Sequence, residues 1–187
     1  MANLYYVIGA SGAGKDSLIN YLRNNMPDDA PVLFAHRYIT RPADAGGENH
    51  VALSTAEFER RNDLGCFAMH WYSHETHYGI GKEVNVWLSH GINVVMNGSR
   101  GYLNDASALY PNLVPVLISV DPDVLCDRLF ARGRETAEQI KQRLTQAIKL
   151  EKVYHQNLLR IENNNRLEDA GEQLLNAILN RNAEKCA

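Results

Sequence analysis

Apolar and polar positions along the chain alternate between two periods. Leu4 to Ile8 is a short unbroken apolar run ending at Gly9, which predicts a buried strand. A helix is predicted from about Lys15 to Asn24, stopping before Pro27, and a second strand from Val32 to His36. Ser54-Thr55-Ala56-Glu57 is a capping box that opens a helix toward Leu64. Between Phe67 and Tyr78 an aromatic-rich alternation predicts short strands. Glu83 to His90 reads as a helix closed by Gly91, and Ile92 to Met96 as a buried strand. Val114 to Val120 is the next strand, ended by Asp121-Pro122, an N-cap followed by proline at the first helical position. Thr136 with Gln139 opens a long helix toward Tyr154. Leu158 to Glu162 is the last strand; the Asn163 to Asn165 turn then leads to a helix over Leu167 to Asn180.

Five strands alternating with helices imply an α/β fold, a parallel sheet with helices on both faces. Ligands in such sheets sit beyond the carboxyl ends of the strands. The stretch 37–81 breaks the alternation and reads as a small inserted subdomain in a single domain, with the core over about 1–36 and 82–187. Length agrees, since 187 residues bury a sizeable core in one domain. The net charge of −3 excludes a generally basic nucleic-acid binder. Cys66, Cys126 and Cys186 are widely spaced and odd in number, which fits free thiols in a reducing compartment. With no basic leader and no apolar run near 18 residues, a cytoplasmic protein without a membrane segment is expected.

The chemistry begins at GASGAGKDSL. Gly9, Gly14 and Lys15 fit a phosphate-binding loop, in which backbone N–H groups of Gly9, Ala10, Ser11, Gly12, Ala13 and Gly14 surround phosphate oxygens. Lys15 supplies a point charge. The motif's hydroxyl position holds Asp16, and Ser17 comes one place later. A carboxylate beside triphosphate is unfavourable unless a cation intervenes, so Asp16 is expected to hold Mg²⁺; the bland alternative is a residue favoured by the helix dipole. Downstream, Arg128, Arg132, Arg134 and Arg143 flank a glycine ahead of a new helix. They fit a lid over about 132–140 that neutralises charge on a transferring phosphoryl group, set against a solvated basic face. His70, His74 and His77 lack the spacing of a zinc motif and suit a polar pocket better. Arg37, Arg41 and Arg100 follow strand ends, where an anionic acceptor would meet the loop. The strand that often ends in a metal-organising aspartate here ends in Asn97.

In this order, the glycine loop, T-R-P, Y-G, R-L-x-x-R-G and a capped R-L helix resemble the guanylate kinases. The resemblance implies a P-loop NTPase fold with an acceptor-binding insert and an arginine lid. It implies that Arg41 and Tyr78 grip the acceptor phosphate and that Arg132 and Arg143 act from the lid. Guanine-reading positions depart: the acidic base reader falls near Met69, the serine after Y-G is Gly81, and the acidic pair is Asn97 and Ser99. Positions matching Arg37 and His50 hold a small hydroxyl residue and a tyrosine in that family.

GKDSL, AHRYITR, GGENHVALS, HYGIG and VVMNGSR are similar to the ribose 1,5-bisphosphate phosphokinases of bacterial phosphonate breakdown, over about residues 1–150. That similarity implies transfer of the ATP γ-phosphoryl group, with Mg²⁺, to the 1-phosphate of ribose 1,5-bisphosphate. The products are 5-phosphoribosyl 1-diphosphate and ADP. Arg37, Arg41, His50, Tyr78, Ser99 and Arg100 are then the expected acceptor residues. The partners are small molecules, with neither nucleic acid nor membrane, and a homodimer is left open. Two rival readings are a guanylate-type kinase with altered base recognition and a non-catalytic binding module of the same fold.

Overall fold

The computed structural model describes residues 2–45, 48–133, 136–149 and 152–183. Strand β1 (Leu4–Gly9) leads through the glycine loop into helix α1 (Lys15–Asn25). Strands β2 (Val32–Phe34), β3 (Arg37–Ile39) and β4 (Val51–Ala52) follow, then α2 (Thr55–Asp63), β5 (Phe67–Ser73), β6 (Thr76–Gly81) and α3 (Glu83–Ser89). The rest is β7 (Asn93–Asn97), α4 (Leu103–Leu109), β8 (Leu113–Ser119), α5 (Pro122–Arg132), α6 (Ala137–Lys149), β9 (Leu159–Glu162) and α7 (Leu167–Ala183).

The strands form two sheets. One is the expected five-stranded parallel sheet, in the order β2-β7-β1-β8-β9. The other has the order β4-β3-β6-β5. Leu4 to Ile8 and Val94 to Met96 are essentially without exposure, which is why both stretches read as unbroken apolar runs rather than alternating ones.

By its internal contacts the chain divides into one unit of Met1–Tyr6 with Pro31–Leu113 and another of Val7–Ala30 with Val114–Ala187. In the first unit the predicted strand over Val32–His36 is split. Its ladder on β7 ends with the bond from Ala35 N to Val95 O, and Arg37 begins β3 in the second sheet, opposite Ile80 of β6. The β5–β6 hairpin turns at His74 and Glu75, both at positive φ (50° and 58°), the geometry that matches strand twist in a two-residue turn. That turn separates His70, exposed on β5, from His77, which packs on Phe58 and Tyr72. Helix α4 was not anticipated: only Leu103 and Ala106 of its seven residues are buried, too faint a stripe to register.

In the second unit, α7 docks on α1 closely enough that a side chain at Gly171 would strike the Tyr21 ring. Of the two predicted capping boxes, Thr136–Gln139 forms in full, and at Ser54 the side-chain cap forms while the Glu57 carboxylate accepts from Arg61 Nε instead. Ser54 Oγ accepts from Glu57 N at 3.2 Å. Thr136 and Gln139 exchange two bonds, at 2.9 and 3.3 Å. Helix α6 is described to Lys149; 152–154, which the pattern includes, are not helical.

Candidate active site

The glycine loop is built by its backbone. Gly14 caps α1 at φ +89°, a conformation other residues resist, and Ala13 N closes the turn onto Ala10 O at 3.2 Å. Lys15, first in α1, folds its ammonium back over the loop. Nζ donates to Gly9 O and Ala10 O, both at 3.0 Å, which places a positive charge at the carboxyl end of β1. Asp16 is half-buried in the first turn of α1, where the helix dipole favours a carboxylate, and Ser17 is exposed. From α6, Arg143 donates through a guanidinium N–H to Ser11 Oγ at 2.6 Å, so an expected lid residue touches the expected loop. Arg134 and Glu135 lie outside the described residues, as does the side chain of Arg132.

The acceptor candidates belong to the first unit. Arg37 and Glu48 form a two-bond ion pair, with Nε donating to Oε1 at 2.6 Å and the second bond running to Oε2. Their side chains are 13% and 10% exposed, so this pair is well shielded from water. The Arg37 guanidinium also lies 4.9 Å from the centre of the Tyr78 ring. Tyr78 stacks on Trp71 at 5.6 Å and 6°, and Trp71 stacks on Tyr102 at 5.6 Å and 25°. The result is a ladder of one cation and three rings. Arg41 is half-buried, and its Nε is buried with no hydrogen-bond partner among the described residues. A guanidinium N–H held that way is costly until an anion meets it.

His50 is buried, and both ring nitrogens face backbone carbonyls: Nδ1 lies 2.9 Å from Glu48 O and Nε2 lies 3.2 Å from Arg41 O. The imidazole thus ties together the two ends of the stretch between Arg41 and Glu48. Ser99 is held by Tyr6, whose hydroxyl accepts from Ser99 N at 2.9 Å and donates to Ser99 O at 3.0 Å. Burial pushes the Tyr6 phenol up to about 12, with the Ser99 backbone bond pulling the other way. A Cβ on Gly98 would run into the Tyr6 ring, so only glycine fits there. Arg100 opens the short turn Arg100–Tyr102, which carries Tyr102 to Trp71.

Sequence reasoning passed over Glu48, Trp71, Tyr102 and Tyr6. Only the aromatic density of Phe67–Tyr78 hinted at the ladder, and nothing in the sequence pattern pairs Glu48 with Arg37 across eleven positions.

Among known proteins, the guanylate kinase family matches residues 1–181. The chain is 54% identical over 178 residues to the ribose 1,5-bisphosphate phosphokinase PhnN of Psychromonas ingrahamii, covering 95% of this chain and 90% of that one. It is 51% identical over 179 residues to the protein of that name from Desulfomicrobium baculatum, covering 96% and 95%. Among solved structures, guanylate kinase from Anaplasma phagocytophilum superposes with a TM-score of 0.73 at 16% identity, covering 97% of this chain and 86% of that one. A gluconokinase from Sinorhizobium meliloti superposes at 0.51 and 18% identity, covering 99% and 95%. The chain belongs to the guanylate kinase family and, within it, to the ribose 1,5-bisphosphate phosphokinases.

Proposed function

We propose that the protein transfers the γ-phosphoryl group of ATP to the 1-phosphate of ribose 1,5-bisphosphate, giving 5-phosphoribosyl 1-diphosphate and ADP. The observation that carries this reading is an intact lysine-bearing loop in a chain whose acceptor candidates are cationic: Arg37, Arg41 with its unmet Nε, and Arg100. The name shared by its relatives supports the same acceptor.

An oxygen of the acceptor's 1-phosphate attacks the γ-phosphorus while the bond to the β–γ bridging oxygen breaks. The attacking phosphate oxygen is already ionised near neutral pH, so no general base is needed, and positioning with charge neutralisation carries the catalysis. The backbone N–H groups of 9–14 cradle the donor phosphates, Lys15 exchanges its carbonyl partners for phosphate oxygens, and Ser17 lines the loop. Arg132, at the start of a lid over about 132–140, and Arg143, in the helix that continues from it, meet charge as it develops. The donor chemistry fits Mg²⁺: bound with the nucleotide it neutralises phosphate charge, and Asp16 is the carboxylate that would hold it. The insert over about 37–81 receives the acceptor. Arg41, Tyr78, Ser99 and Arg100 contact its phosphates, Arg37 offers the guanidinium edge left by Glu48, and His50 keeps the Arg41 loop in shape.

Among the described residues no helix is long and apolar enough to cross a membrane. We place the activity in the cytoplasm, which the free thiols of Cys66 and Cys126 support. The test is phosphoryl transfer from ATP across a panel of phosphorylated acceptors. Ribose 1,5-bisphosphate is expected to turn over fastest, and faster transfer to GMP would overturn the acceptor assignment.

A further inference from the structure

The turn that follows β9 carries three asparagines in a row, Asn163, Asn164 and Asn165. The first is 3% exposed. Its backbone N donates to Ser119 O at 2.9 Å, which continues the β8–β9 ladder past Glu162. Its side chain leaves the sheet for the glycine loop, where Nδ2 donates to Ala13 O at 2.8 Å. The approach is close: a Cβ on Gly14 would sit 2.5 Å from that same Nδ2. The amide has only one workable orientation, because its oxygen turned toward a carbonyl would meet another acceptor. Oδ1 is buried and has no hydrogen-bond partner among the described residues. An apolar side chain would avoid that unfavourable burial. The bond to Ala13 is what asparagine adds.

We infer that Asn163 is a positioning residue for nucleotide binding, acting through the Ala13–Gly14 peptide. The peptide unit is planar and trans, so its C=O and N–H point in opposite directions. Holding Ala13 O on Asn163 therefore fixes where Gly14 N–H points, and that N–H is one of the loop donors that must converge on phosphate oxygens. A loop free to rotate this peptide loses one donor and the order of its neighbours. The C-terminal quarter of the chain acquires a role in this way. The neighbouring Asn164 does something separate, its Oδ1 accepting from Asp121 N at 2.7 Å at the start of α5. The inference rests on the reading of residues 9–17 as the ATP site.

ATP affinity with Mg²⁺ and no acceptor, measured by calorimetric titration alongside Tm, tests it on the full chain. Asn163→Asp keeps the shape and replaces the donating amide by an acceptor, while Asn163→Ala removes the side chain without adding charge. Both are expected to weaken ATP binding about tenfold or more, with KM for the bisphosphate acceptor within about twofold of the parent value. Asn164→Ala, which breaks the turn's other side-chain bond, is expected to lower Tm and leave ATP affinity within about twofold. Unchanged ATP affinity in folded Asn163→Asp would overturn the inference. So would an equal ATP loss in Asn164→Ala, since the turn would then matter only for folding. A parent protein that bound no ATP would sink the donor-site reading itself, and that first titration precedes any variant.

Discussion

On the function proposed above, the glycine loop and the acceptor cluster face the same problem, holding phosphate, with different materials. The loop uses nine contiguous residues whose polar work is done mainly by backbone, and its one cation, Lys15, rests on the loop's own carbonyls. The cluster gathers side chains from β3, β6 and the turn after β7, and it holds the charge of Arg37 with an internal acid, Glu48. A backbone site depends on chain direction and glycine placement, so side-chain changes there reach chemistry before stability. A side-chain site is also part of the packing, so changes there strike both.

Lys15→Ala should give the largest contrast. Removing a charge aimed at the transferring group typically costs about 10²- to 10³-fold, roughly 3–4 kcal/mol, in turnover. Tm should hardly move, and near-normal kcat in the folded variant would break the loop assignment. Arg37→Ala is expected to act on both fronts. The KM for ribose 1,5-bisphosphate should rise about tenfold while KM for ATP stays put. Stability should fall by roughly 2–3 kcal/mol, because Glu48 is left nearly buried without its partner. A denaturant titration that found no loss would show that the pair is not structural.

Smaller again, Asp16→Asn should raise the Mg²⁺ concentration needed for half-maximal activity several-fold, with metal-free nucleotide binding little changed. An unaltered Mg²⁺ titration returns Asp16 to the role of a helix-dipole residue. The smallest effect concerns Tyr6. A phenol raised from 10.0 to about 12 binds its proton more tightly folded than unfolded. Its contribution is complete below pH 10 and is lost as pH rises toward 12, because the unfolded chain then binds fewer protons. Tm should therefore fall over that window, and Tyr6→Phe should flatten the fall. An equally steep decline in Tyr6→Phe would assign it to other groups.

The alternation of runs and caps determined most of the fold. Unbroken apolar runs such as Leu4–Ile8 belong to strands covered on both faces, and capping boxes at Ser54 and Thr136 are interactions three residues apart. The candidate loop was legible because its glycines and the lysine after them stand next to one another in sequence, although its Ala13 carbonyl is held from Asn163, far along the chain. The strand split after Ala35 was not legible, because leaving one sheet for another is decided by Ile80 across β6 rather than by anything near His36. The roles of Glu48, Trp71 and Asn163 were equally hidden. Arginines after strand ends invite an anion, but which anion each already holds depends on what the fold brings within 3 Å. Local periodicity and turn chemistry are short-range and written residue by residue. Ion pairs, ring ladders and the Asn163–Ala13 bond span 7 to 150 positions, and only packing brings such partners together.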